Sequence, residues 1–174
     1  MTWPRLSPAF VTVHTYGPLS IGLEIGGSLV GTASATYPAA STAIFVPFSL
    51  PAPLTAAQLF TYNGATASGN IDVGLYAADG TRLVSSGSTA QAGTNTLQAF
   101  DITDTELGPG NYYLAIALDN TTGTLFRTVP AARYLAGVGC FQQASAFALP
   151  ATATFATMAQ VYLPVFGFST RAVL

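Results

Sequence analysis

The sequence holds one histidine, His14, and one cysteine, Cys140, so nucleophilic or acid–base chemistry has few groups to draw on. Acyl transfer needs a nucleophile, a general base and an orienting acid within hydrogen-bond reach. His14 stands in a proline-punctuated stretch, and Gly26-Gly-Ser-Leu-Val-Gly31 lacks the Gly-x-Ser-x-Gly spacing of a nucleophile elbow. His14 therefore reads as a packed or solvent-facing residue. Glycoside hydrolysis requires two carboxylates across a cleft. The candidates are Glu24, Asp72, Asp79, Asp101, Asp104, Glu106 and Asp119, most of them at expected turns or strand ends. The densest group, Asp101-Ile-Thr-Asp104-Thr-Glu106, offers oxygen ligands for calcium as well as acid and base roles. It has neither the ligand spacing nor the glycine of a calcium loop, and a solvated turn is the preferred reading.

Cys140 alone permits no intrachain disulfide and no Cys-based zinc site, and between Gly139 and Phe141 it reads as a small buried hydrophobe. Gly137-Val-Gly139 runs on into Cys-Phe-Gln142 without the third glycine of a phosphate-cradling loop. The expectation is a non-enzymatic protein with no catalytic residues, no cofactor and no metal. The tyrosines raise a different possibility, because exposed aromatic rings stack on the apolar faces of sugars. Tyr62, Tyr76 and Tyr113 are the candidates for such a glycan platform, with Tyr112 and Trp3 beside them in sequence type. Core or interface packing takes most large aromatics in a β-sandwich and is the competing, preferred reading. The sequon Asn120-Thr-Thr122 has meaning only in a eukaryotic secretory setting, which nothing else suggests.

These residues sit in an unusual chain. Of its 174 residues 50% are hydrophobic and only 7% charged, against about 25% charged in an average soluble domain. The surface must therefore be built from Ser, Thr, Gly, Ala, Asn and Gln. The five basic residues, Arg5, Arg82, Arg127, Arg133 and Arg171, are scattered, and the net charge is -2, so a basic nucleic-acid-binding face is not expected. Interspersed charge normally keeps monomers apart, and a nearly uncharged surface suggests one covered by other copies or other proteins. The uncharged stretches 26–70 and 135–169 are interrupted by prolines and polar residues and do not read as membrane spans. The opening Met1-Thr-Trp-Pro-Arg5-Leu-Ser-Pro8 lacks the basic-then-apolar order of a secretory signal.

The length suits one main domain. Residues 1–40 read as an extended N-terminal arm containing short strands, with Pro4, Pro8, Pro18 and Pro38 dividing short apolar pieces and a flexible junction at Ile25 to Ala35, and it should pack on its parent domain or on a neighbouring subunit. Trp3, Phe10 and Tyr16 are its expected anchors at an assembly interface, since buried aromatics dominate interface energetics. Residues 41–174 carry period-two alternation broken by turn residues, which predicts an all-β antiparallel sandwich of about eight strands. Strands are expected at 43–50, 57–62, 70–77, 82–85, 96–102, 111–118 and 124–127. Asp79-Gly80 should supply the positive-φ positions of a hairpin turn. Helical turns fit only 131–136 and 153–160, and no fixed-period repeat or heptad is present.

Three segments carry a family likeness: Pro51-Ala-Pro-Leu-Thr-Ala-Ala-Gln-Leu59, Gly69-Asn-Ile-Asp-Val-Gly-Leu-Tyr76-Ala-Ala-Asp-Gly80 and Leu107-Gly-Pro-Gly-Asn-Tyr-Tyr-Leu-Ala115. The stretch from Phe45 to about Arg127 resembles the jelly-roll-like sandwiches of bacteriophage virion proteins and bacterial carbohydrate-binding modules. The ending, with Phe147-Ala-Leu-Pro150 and Leu163-Pro-Val-Phe-Gly167, is similar to the close of small phage structural proteins. The resemblance implies a jelly-roll-like sandwich in a virion, as capsid decoration or as part of a tail or fibre. Its partners would be copies of itself and other virion proteins, docked through residues 1–40, without nucleic-acid binding or membrane insertion. It would also account for a surface lacking charge and a chain lacking an export signal. Recognition of a host surface glycan is the alternative.

Overall fold

The computed structural model describes the backbone of residues 13–15 and all of residues 33–170. The elements formed are β1 (Val13–Thr15), β2 (Ala33–Thr36), β3 (Ala43–Leu50), β4 (Leu54–Tyr62), β5 (Asn70–Ala77), β6 (Arg82–Ser85) and β7 (Thr89–Ala90), then β8 (Leu97–Leu107), β9 (Gly110–Leu118), β10 (Thr124–Thr128), the helix α1 (Ala132–Gly137), β11 (Phe141–Gln143), β12 (Ala156–Thr157), β13 (Leu163–Pro164) and β14 (Phe166–Ser169). Every strand pairing is antiparallel. One sheet has the order β12-β11-β3-β9-β5-β6, with β7 also on β5; the second is β1-β14-β4-β8, and a small third is β13-β10-β2.

Alternation in the long strands explains the sandwich. Ile44, Val46 and Phe48 of β3, Ile71, Val73 and Leu75 of β5, and Leu114, Ile116 and Leu118 of β9 point one way. They meet Ala56 and Leu59 of β4, Phe100 of β8, and Phe166 and Phe168 of β14 in one continuous core. Leu125 of β10 and Leu163 of β13 join it from the small sheet. The chain passes repeatedly between sheets, from β3 to β4, β4 to β5, and β8 to β9. The all-β antiparallel sandwich expected from the sequence is thus the observed fold.

Particular elements depart from the sequence expectations. Ala33–Thr36, placed with the arm, pairs with β10 from Ala33↔Arg127 to Thr36↔Thr124. The adjacent Tyr37 is only 1% exposed, with its hydroxyl 2.7 Å from the carbonyl of Thr42 and 2.9 Å from that of Ile116. Residues 33–37 therefore belong to the folded body. The hairpin between β5 and β6 is present, but Gly80, at φ 89°, is the residue with positive φ, while Asp79 instead accepts the Thr81 N–H on its carboxylate at 2.9 Å. The expected helical turn at 131–136 is α1, displaced by one residue, whereas 153–160 carries the short strand β12 and no helix. Asp101, Asp104 and Glu106 are exposed side chains along β8, not in a turn. Asp101 and Glu106 lie on either side of an irregularity where Ala56↔Thr105 gives way to Gln58↔Asp101, and Asp104 lies within it.

The two-sided burial of β5 was also not expected. Residues Ile71 to Tyr76 are all buried, although alternation assigns Asp72, Gly74 and Tyr76 to the outer face. A second, smaller core covers that face. Ala43, Phe45, Tyr76, Ala115 and Ala117 of the sheet pack against Ala146 and Leu149, with Tyr113, Phe141, Phe147, Ala153 and Phe155 around them. The cover is the strap 144–155, which carries little regular structure and so gives no periodic signal.

Candidate binding surface

The strap is fastened along β5 and β6. The buried Asp72 carboxylate accepts the Leu149 N–H at 3.0 Å and the Ser86 hydroxyl at 3.3 Å. Tyr76 donates its hydroxyl to the Pro150 carbonyl at 2.6 Å, and the Arg82 guanidinium donates to the Leu149 carbonyl. Backbone bonds from Arg82 to Ala151 (2.9 Å) and from Ala153 to Gly80 (2.8 Å) continue the seam. Burial pushes the Asp72 carboxyl up from its ordinary range, against the lowering effects of Leu149 N–H, Ser86 and the Arg82 charge. Burial likewise pushes the Tyr76 hydroxyl up, with the Arg82 charge partly opposing it.

At the edge of the strap three rings stay partly exposed. Tyr113 and Phe155 lie 4.6 Å apart by ring centroid, Phe141 and Phe155 5.1 Å, and Tyr113 and Phe141 6.0 Å. The register Pro47↔Tyr113 and Phe45↔Phe141 sets two of them on the outer face of the large sheet. Phe155 is brought to them by the strap, where Thr154 N–H donates to Gln143 Oε1 at 2.6 Å. Two residues further along β3 and β9, Ser49 donates its hydroxyl to Asn111 Oδ1 at 2.6 Å on an exposed part of the same face. The result is a neutral aromatic shelf with a polar margin, suited to van der Waals contact and hydrogen bonding.

The tyrosines selected from sequence are not united by the fold. Tyr113 is on the shelf. Tyr76 is 0% exposed and removed from any platform by the strap. Tyr62 lies in the β14-β4-β8 sheet, edge-on to Phe126 at 4.9 Å, with its hydroxyl donating to the Asn95 carbonyl at 3.3 Å. A single Tyr62/Tyr76/Tyr113 platform is therefore excluded by topology. Phe141 and Phe155, which sequence reasoning missed, take the vacated places; their signal was only aromatic residues in a segment without alternation. Trp3, Phe10 and Tyr16 lie outside the described residues, and of His14 only the backbone position opposite Phe168 is described.

Other polar groups serve the framework. Asn63, fully buried, donates to the Ala92 carbonyl at 2.6 Å and to Gln98 Oε1 at 2.8 Å, and accepts from Gln91 Nε2 at 3.1 Å. Gln91 also donates to the Thr124 carbonyl and accepts the Ser68 N–H, so the loops at 63–70, 91–96 and 119–124 are tied together. Arg127 lies over the Tyr162 ring at 5.4 Å, while its Nε and Thr128 Oγ1 are buried without a hydrogen-bond partner. An open hollow of about 310 Å³ is lined by Pro53, Leu54, Thr55, Glu106, Leu107 and Gly108, with Glu106 its one carboxylate. Asp101, Asp104 and Glu106 form no metal cluster, and among the described residues no group of three His, Cys, Asp or Glu side chains is placed to hold a metal ion. No helix among the described residues is long and apolar enough to cross a membrane. Compared with family models, curated proteins and solved structures, the chain gives no match.

Proposed function

We propose that this chain is a non-catalytic structural subunit of a phage-like virion, in a capsid decoration, tail or fibre, assembled with its own copies and other virion proteins through its N-terminal segment. The observation that carries this reading is the position of β1. Val13–Thr15 from the N-terminal segment is added to the sandwich edge by main-chain pairing with β14, in the register Val13↔Ser169 to Thr15↔Gly167. A charged fraction of only 7% supports it, because a surface so poor in charge suits burial between subunits.

The test is size and symmetry by light scattering and electron microscopy, on the full chain and on a chain lacking residues 1–32. The cut is made there because Ala33–Thr36 and Tyr37 are part of the sandwich. A closed oligomer from the full chain and a folded monomer from the shortened one is the expected result. Identical monomers would remove the proposal.

The shelf of Tyr113, Phe141 and Phe155 favours a second reading, recognition of a host surface glycan. Tyr113→Ala should then abolish retention on a glycan array at a temperature where circular dichroism shows the variant still folded, although it also loses the ring packed on Phe155 and the second core. Equal retention of both proteins would end this reading.

A further inference from the structure

Resting on the assembly reading, the pairing of β1 carries one step more. We infer that β1 is an exchanged strand: in the assembly, Val13–Thr15 of one copy occupies the β14 edge of a neighbouring copy in the same register. The argument begins with the edge. β14 is buried at all four positions, with Phe166 and Phe168 at 0% exposure inside the main core. Its flank away from β4 is the one β1 covers. Without a strand there, a row of backbone N–H and C=O groups would be left open beside the core, which is the arrangement that invites pairing with another chain. An open edge of this kind favours an occupant.

The identity of the donor copy is not fixed by that preference. The contact is a ladder of three residue pairs, and main-chain bonds are the same whichever copy supplies the strand. The length of the connecting segment permits either donor. Residues 16–32 separate β1 from β2. A chain of 17 residues spans at most about 60 Å when extended. A domain of this size has a radius of gyration of about 16 Å, so its diameter is roughly 40 Å. The tether can thus deliver β1 to the corresponding edge of an adjacent subunit. Three pairs yield little stabilisation within one monomer, whereas repeated around a ring or lattice they link every copy to the next. Exchange of an identical element is a low-barrier route to such closed assemblies.

Cysteines at a paired position read out the donor. Directly opposed residues have Cβ atoms about 4.5–5.5 Å apart, within small adjustment of disulfide geometry. Chains carrying Val13→Cys and chains carrying Ser169→Cys are co-expressed, assembled, oxidised and run on a denaturing gel. Cys140 is retained, because it is 1% exposed, and the parent chain run alongside should show no link. Exchange predicts a disulfide-linked dimer containing one chain of each kind, and linked ladders from the Val13→Cys/Ser169→Cys double variant. An assembly of the expected size whose double variant closes only within each chain, or forms no link at all, overturns strand exchange and leaves the assembly reading standing. A monomeric full chain overturns both.

Discussion

The carboxylate of Asp72 on β5 accepts the backbone N–H of Leu149 at 3.0 Å, fixing the strap to the large sheet at a point where Asp72 is fully buried and Leu149 only 2% exposed. Burial raises the carboxyl pKa in the folded protein above its unfolded value of about 3.9. The folded state therefore holds this proton more tightly than the unfolded one. The stability contributed by Asp72 is fully present below the unfolded value and is lost as pH rises through the raised folded one. Asp72→Asn keeps an acceptor for Leu149 and cannot ionise. Urea unfolding midpoints measured from pH 3.5 to 7.5 should show the variant gaining on the parent as pH increases. Parallel pH profiles would rule this account out.

Gly74 tests how closely the strap is seated. A Cβ there would stand 2.9 Å from Leu149 Cδ1 and 3.0 Å from the Val84 carbonyl oxygen, which is backbone and cannot swing aside. Gly74→Ala is expected to destabilise by about 1–3 kcal/mol, the usual range for an overpacked core. Leu149→Ala alone should cost about 2–5 kcal/mol. Because the two changes share one contact, the double variant should lose less than the sum, by at least about 0.5 kcal/mol in a chemical-denaturation cycle. Strict additivity would mean that the strap does not bear on Gly74.

At the opposite polarity extreme stands Asn63. Asn63→Ala would strip partners from Gln91 Nε2, the Ala92 carbonyl and Gln98 Oε1 together. Leaving the buried Gln91 amide short of a partner costs about 1–3 kcal/mol, so a clear fall in the thermal midpoint is expected. Hydrogen exchange should quicken at the amides of Ser68 and Ala92, which donate to Gln91 Oε1 and Gln98 Oε1. An unchanged midpoint would show that the network contributes nothing net.

Cys140 is 1% exposed, and burial pushes its thiol up to about 12. The thiolate is the reactive form. In the native protein at pH 8 it should resist an aromatic disulfide reagent over hours and react stoichiometrically in urea. Rapid native labelling would contradict its packing in the core.

Where alternation was strong, the sequence was readable: Ala43–Leu50 and Asn70–Ala77 have the predicted bounds, and 82–85 returns from its hairpin as expected. Each is a run long enough for its alternation to be read. The strands β7, β12 and β13 have only two residues each, too few for a period, and β2 was hidden among the small residues after Ile25. Asp101, Asp104 and Glu106 looked like a turn because they are polar and close together; as exposed side chains on the outermost strand of the β1-β14-β4-β8 order, they occupy a place where charge discourages unwanted pairing. Tyr76 and Asp72 are buried against the alternation for one reason. Period two distinguishes the two faces of a strand but says nothing of what later covers the outer one, and the strap 144–155 lies more than sixty residues away in the chain.

The junction Asn63-Gly64 has a chemical consequence. Asn-Gly is the pair at which proteins age fastest, because the glycine nitrogen attacks the asparagine side-chain carbonyl, expels ammonia and closes a succinimide. Here the attacking nitrogen donates to the Thr124 carbonyl at 2.8 Å, and the Asn63 amide is held away by Ala92, Gln98 and Gln91. The same hydrogen bonds that join three loops thus keep the two reactants of spontaneous deamidation apart, and the folded chain is built to outlast its own most perishable dipeptide.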